Sequence, residues 1–429
     1  MYYDKIGEVA RWLKQRPLVF FALLHALLFL AVFANLDYLV GGNSFERGFA
    51  AKILEGMVPY SDFASEYPPL ALLSFLIPAL LSPTQPLYDI FFALEIFLLG
   101  LVVLFILVKL APRLKLQIWP VLSVYTLCLV AMGPIVTGRF DLLPATLVLV
   151  ALYAFISGKN KIAWGCLELG ASAKLYPLII APLLFLYLLH QKQYRRLAQG
   201  IAIFGGVILV LSLPWVIINA DGFWQFLSYH LERGLHSESS YGSVILMGQV
   251  MGLTQVEAGL TYGSWNIISP AANVMAKSSF YITAAFLVFL YFIYIKILLK
   301  KPHRIDAKGA LDSEAAQLIL RCSILAVLIM LLTSKIFSPQ FLIWLCPLIP
   351  LVTARWRYIP LLLFLVACAI TQYIYPHNYI AFELFTPHLV VMLAIRNLLL
   401  VAMAVIYLLP MRSSPVKVEE GVANNHSPG

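Results

Sequence analysis

Two carboxylates, Asp62 and Glu66, and two phenols, Tyr60 and Tyr67, fall within eight residues of the stretch Pro59-Tyr60-Ser61-Asp62-Phe63-Ala64-Ser65-Glu66-Tyr67-Pro68-Pro69. Pro59, Pro68 and Pro69 fix the backbone there and exclude a continuous helix. Carboxylates and phenols at this density suit proton transfer and the binding of polar ligands. The plainer reading is a proline-punctuated surface loop.

Other ionisable residues stand where apolar sequence surrounds them. Lys174 precedes Tyr176-Pro177, and Arg396 lies inside the apolar run 389–409. A charge at mid-bilayer costs about 2.5–3.5 kcal/mol on insertion scales, so such residues snorkel to the interface or meet a partner. A lipid phosphate is one such partner. Arg139 and Asp141 flank Phe140 at the start of another apolar run, where Asp141 would also suit a helix N-terminus. Arg233 and Glu238 share a polar segment with His230 and His236. The six-residue histidine spacing matches no usual helical ligand set, so no metal is indicated.

The elements that must position these groups are membrane helices. Hydrophobic residues make up 61% of the 429, charged residues 12%, and the mean hydropathy is +0.87. A soluble domain carries about twice that charge. The five cysteines fall in apolar runs without a CxxC pair, and read as small core residues. The fold class is an all-α polytopic membrane protein with about 12 transmembrane helices. Residues 1–410 form a single domain, and 411–429 read as a disordered cytoplasmic tail. The net charge of +9 reports topology rather than a nucleic-acid partner.

The run 70–81 is short for a span and contains Pro78. If it does not cross, 22 of the 30 basic residues fall on the cytoplasmic side with both termini, including Lys109, Arg113, Lys159, Lys161, Arg195 and Arg196. If it does cross, most basic clusters face outward, against the positive-inside rule. It is therefore expected as a re-entrant or interfacial helix in a first outer loop of about 35–85. An amphipathic surface helix is expected over 44–54, with Phe45, Phe49 and Ile53 on one face. This arrangement brings the opening stretch to the outer face with Arg139, Asp141, Lys174, Tyr176, the outer loop 220–278 and the segment 335–340. None of these entered the charge argument. A site at the outer surface of the plasma membrane follows.

The motifs together resemble the GT-C glycosyltransferases, most nearly the polyprenyl-phosphate-mannose-dependent mannosyltransferases of family 87. The resemblance rests on Pro59-Tyr60-Ser61-Asp62-Phe63, Glu66-Tyr67-Pro68-Pro69-Leu70, Arg139-Phe140-Asp141-Leu142-Leu143-Pro144, Lys174-Leu175-Tyr176-Pro177, Arg233-Gly234 with Glu238-Ser239, and Phe337-Ser338-Pro339-Gln340 before Trp344. It implies a GT-C-like fold and an inverting transferase; no cofactor is expected. Such an enzyme moves a sugar, usually mannose, from a polyprenyl-phosphate donor to a lipid-linked or cell-envelope glycan acceptor.

An acceptor hydroxyl must lose a proton as it attacks, and a phosphate must leave. The resemblance implies an acidic base near the start of the first outer loop, four residues before the aromatic that opens the surface helix. That aromatic is Phe45, and Gly41 stands four before it; the neighbouring acids are Asp37 and Glu46. Asp37, Asp62 and Glu66 are the candidate catalytic acids, Asp37 as the base. Tyr60, Tyr67, Arg139, Asp141, Lys174, Tyr176, Arg233, Glu238, Gln340 and Arg396 are the candidate donor- or acceptor-binding residues, with Lys174 and Arg396 on the phosphate. A transporter or flippase for a lipid or glycan would place its polar site nearer the midplane, often between repeated halves. A non-catalytic scaffold of the same fold is the other alternative.

Overall fold

A computed structural model describes residues 12–33, 43–300, 306, 309–352 and 358–409. Asp37, Gly41 and the tail 411–429 lie outside the described residues.

The apolar runs fold as helices in chain order: α1 Pro17–Phe33, α2 Ser44–Leu54, α3 Pro69–Leu81, α4 Leu87–Leu110, α5 Ile118–Met132, α6 Leu142–Ile156, α7 Asn160–Ala173 and α8 Ala181–His190. They continue as α9 Tyr194–Ile218, α10 Ala220–Glu232, α11 Ser240–Val250, α12 Pro270–Lys300, α13 Ser313–Thr333, α14 Ile359–Gln372, α15 Tyr379–Glu383 and α16 Pro387–Leu408. Seven helical segments among the described residues are long and apolar enough to cross a membrane. Five shorter apolar helices accompany them, α3 among them. At 13 residues α3 is about 20 Å long, against a hydrocarbon core of about 30 Å. This is a helical membrane protein.

Proline sets where several helices start. Pro69 and Pro387 occupy first helical turns, where a missing N–H costs nothing. The expected surface helix is α2, with the bounds read from its periodicity. Within the bundle α13 is central, with 72% of its most apolar window buried, whereas α9 lies at the rim with none. Helix α6 packs on α7, α14 on α16, and α12 on α13.

One departure from the all-helical expectation is a small antiparallel sheet in the loop 220–278. Its strands β1 (Leu235–His236), β2 (Glu257–Thr261) and β3 (Ser264–Ile268) are ordered β1-β3-β2. Strands of two to five residues are too short to show alternation in the sequence. Tyr262 and Gly263, at φ 52° and 65°, form the two-residue turn between β2 and β3 that matches strand twist.

Candidate active site

Segments from across the chain converge on one cavity of about 1260 Å³. It is lined by α2 (Phe45, Glu46), the opening stretch (Glu66, Tyr67), Arg139 and Asp141 before α6, and Lys174 and Tyr176 after α7. The far wall is Arg233, His236, Glu238, the β2–β3 hairpin, α12 from Ala276 to Thr283, Lys335, Gln340, Trp344, Tyr375 and Tyr379. Nine of the sequence-derived candidates therefore meet: Glu66, Tyr67, Arg139, Asp141, Lys174, Tyr176, Arg233, Glu238 and Gln340.

Its floor is an ion pair clad in aromatic rings. Lys174 Nζ donates to Asp141 Oδ1 at 2.6 Å, and Trp344 Nε1 donates to the same oxygen at 2.7 Å. The ammonium lies 4.8, 4.6 and 5.3 Å from the centres of the Phe140, Phe341 and Trp344 rings. Trp344 in turn stacks on Tyr176 at 4.0 Å. Asp141 is fully buried, and its Oδ2 has no hydrogen-bond partner among the described residues. Burial pulls the Lys174 pKa below its ordinary value, with Asp141 opposing that shift. Lys174 is thus matched internally, which alters the expectation of a cation held for phosphate.

Arg139 Nη2 donates to Tyr375 Oη at 2.7 Å. Burial disfavours its charge, but Tyr375, Glu46, Tyr67 and Asp141 more than compensate and hold the guanidinium protonated.

Glu46 is the group that sequence reasoning undervalued. It is 2% exposed, lines the cavity, and its Oε2 has no hydrogen-bond partner among the described residues. Burial lifts its carboxyl above the usual range, partly countered by Arg139 and Lys174. The signal was present: in α2 the pattern Phe45, Phe49, Ile53 marks one face, and Glu46 stands beside it. Periodicity assigned that face to the membrane interface, whereas Glu46 and Ala50 are the residues that pack inward.

Lys335 also escaped selection. It lines the cavity with Arg233, whose Nε donates to Ser264 Oγ at 3.3 Å. Lys335 Nζ donates to Leu231 O at 2.6 Å. Burial first, and Arg233 second, push the Lys335 pKa down. The two cations thus stand near enough to perturb each other. Both stand in the same cavity as α12, where Phe280 and Tyr281 are 65% and 73% exposed. His236 Nδ1 bonds to Phe337 O at 3.1 Å, and burial takes its pKa down to about 3.

Three candidates are placed elsewhere. Asp62 is exposed and accepts from the Val58 N–H at 2.7 Å, closing a turn outside the cavity lining. Tyr60 is buried under Trp215, Phe223 and Phe226, and its hydroxyl donates to Tyr67 O at 2.6 Å. It holds the loop rather than lining the main cavity. That docking needs Gly222, where a Cβ would stand 1.8 Å from Tyr60 O. Arg396 lies behind the cavity wall, and its Nη2 donates to Glu238 O at 2.8 Å.

The sequence model of glycosyltransferase family 87 matches residues 66–334, well over half of the chain. The chain belongs to glycosyltransferase family 87. No curated protein sequence matches it. Its structure is distantly similar to that of ArnT from Cupriavidus metallidurans in the apo state, at TM-score 0.41 and 15% identity, covering 94% of this chain and 77% of that one. As a family 87 member it is a membrane glycosyltransferase. The family match spans Glu66, Arg139, Asp141, Lys174, Arg233 and Glu238; Glu46 precedes it, and Lys335, Gln340 and Arg396 follow it.

Proposed function

We propose that this family 87 protein moves a sugar, mannose by resemblance, from a polyprenyl phosphate to a hydroxyl of a lipid-linked or envelope glycan. The reaction takes place at the outer face of the plasma membrane, with both termini cytoplasmic. The observation that carries the reading is a single cavity holding a buried carboxyl, Glu46, whose Oε2 has no hydrogen-bond partner among the described residues, together with the adjoining cations Arg233 and Lys335.

Each part has a physical role. Arg233 and Lys335 hold the donor phosphate, with the polyprenyl chain running out along Phe280 and Tyr281 of α12. The acceptor oxygen attacks the anomeric carbon as the carbon–oxygen bond to phosphate breaks. The bonding pair of that bond leaves on the polyprenyl phosphate, and the acceptor proton passes to Glu46. Attack opposite the leaving group inverts the anomeric centre. Arg139 favours the ionised form of Glu46, partly countering the burial that raises its pKa, while stabilising charge that develops nearby. Glu66 and Tyr67 position the acceptor.

The test is turnover by the purified protein in nanodiscs, using polyprenyl-phosphate mannose and a membrane lipid extract as acceptor. Glucosyl and galactosyl donors run in parallel. Transfer of a sugar with inversion supports the proposal. A protein that binds no polyprenyl-phosphate sugar and transfers none is a scaffold, and the proposal fails.

A further inference from the structure

We infer that Glu238 hydrogen-bonds a hydroxyl of a sugar substrate inside the cavity, and that Arg396 positions it from behind. This rests on the transferase reading above and names one of its specificity contacts.

Glu238 is 2% exposed and lines the cavity, and its carboxyl Oε1 is buried with no hydrogen-bond partner among the described residues. A buried carboxyl left unpaired costs free energy that the fold alone does not recover. Its carbonyl and the residues that follow it, by contrast, are held. Arg396 Nη2 donates to Glu238 O at 2.8 Å, and Asn397 Nδ2 donates to Ser243 Oγ at 3.0 Å. Ser239 Oγ caps α11 by accepting from the Gly242 N–H at 3.0 Å. The Arg396 guanidinium lies 4.0 Å from the centre of the Phe337 ring, and Phe337 O takes the His236 bond.

A held backbone therefore keeps a carboxyl with one unsatisfied oxygen in the cavity wall. Helix α16, which supplies Arg396 and Asn397, contributes no residue to the cavity lining. That makes Arg396 a positioning residue and corrects its expected place on the phosphate. The ligand class follows from the surroundings. Five cations line the cavity: Arg139, Lys174, Arg233, Lys277 and Lys335. They disfavour an ammonium ligand. The phenols Tyr375 and Tyr379 lie within electrostatic reach of Glu238, and Tyr375 is also within reach of Glu46. A neutral polyol between ring faces and a carboxylate fits that setting.

The experiment measures binding of mannosyl polyprenyl phosphate and of bare polyprenyl phosphate to the full chain in nanodiscs, with acceptor KM and thermal midpoint alongside. Glu238→Leu should lose about tenfold or more of the sugar-dependent affinity, while bare polyprenyl phosphate binds unchanged. Glu238→Gln, which keeps an acceptor oxygen, should retain part of it. Arg396→Met should fall in the same direction and Arg396→Lys should recover in part. The thermal midpoint of Glu238→Leu should not drop, since the substitution removes an unpaired buried carboxyl. If donor binding holds and acceptor KM rises about tenfold instead, the hydroxyl belongs to the acceptor and the inference stands. Unchanged donor binding and acceptor KM in Glu238→Leu overturn it. So does a lowered midpoint with bare-lipid binding also lost, because that marks a structural role. A wild-type protein that binds mannosyl and bare lipid alike, with acceptor KM unmoved in Glu238→Leu, sinks this inference and leaves the transferase reading. A wild-type protein that binds neither lipid sinks both.

Discussion

Lys174 and Asp141 meet at 2.6 Å in the cavity floor, although 33 residues separate them, and Trp344 ties the same carboxylate from 203 residues away. Three chain segments are thus pinned at one fully buried oxygen-bearing group. The pair lines the site without leaving Lys174 as an open cation. Breaking it strands a charge. Lys174→Met should destabilise the protein by about 3–5 kcal/mol, because the uncompensated carboxylate stays buried. Lys174→Met combined with Asp141→Leu should recover most of that loss. Denaturant unfolding in one detergent, with all variants compared, measures both.

Glu46→Gln should lower turnover about 10²–10⁴-fold with donor binding nearly intact, as expected for loss of a general base. A base works only when deprotonated, so wild-type turnover should fall as pH drops through the raised pKa of Glu46. Asp37→Asn should keep both the rate and that acidic limb. If Asp37→Asn removes the limb while Glu46→Gln retains it, the base is Asp37.

Arg233→Gln and Lys335→Gln should each weaken bare polyprenyl phosphate binding about tenfold, and the salt dependence of binding should become shallower. Lys174→Gln should act on stability far more than on this affinity. Equal lipid affinity in all three variants would move the phosphate elsewhere in the cavity.

Stability should carry the signature of Glu238, whose carboxyl burial pushes up to about 8 despite Arg396. Its folded-state pKa exceeds its unfolded value, so folding is favoured at low pH and that contribution is lost as pH rises through about 8. His236, held near 3, acts in the opposite sense, its contribution being present above its ordinary value of 6.5 and lost as pH falls toward 3. Between pH 6.5 and 8 the Glu238 slope should therefore show. The wild-type thermal midpoint should decline across that window, and the decline should be smaller in Glu238→Leu.

Sidedness rests on charge, and labelling tests it. In a background without the five native cysteines, Asp62→Cys should react with an impermeant thiol reagent from outside, and Lys159→Cys should not. Asp62 is exposed, so protection there means that the site faces inward.

Helices, α2 with its bounds among them, and the membrane class were legible in the sequence because each depends on local periodicity and apolar length. Basic residues at run ends likewise yielded an orientation without any contact information. The motif positions also identified nine residues that share the cavity. Pairing was not legible. Whether Lys174 faces a phosphate or Asp141, and whether Arg396 enters the site or supports Glu238, depends on partners 33 and 158 residues distant. The same residue types at the same spacing are compatible with either outcome. Asp62 and Glu66 read alike in sequence, yet one turns outward to close a turn and the other lines the cavity. Glu46 gained its character only when burial removed its water and set it near Arg139. Desolvation is a property of the folded surroundings, so tertiary structure alone decided which acid is buried beside the cavity with a raised pKa.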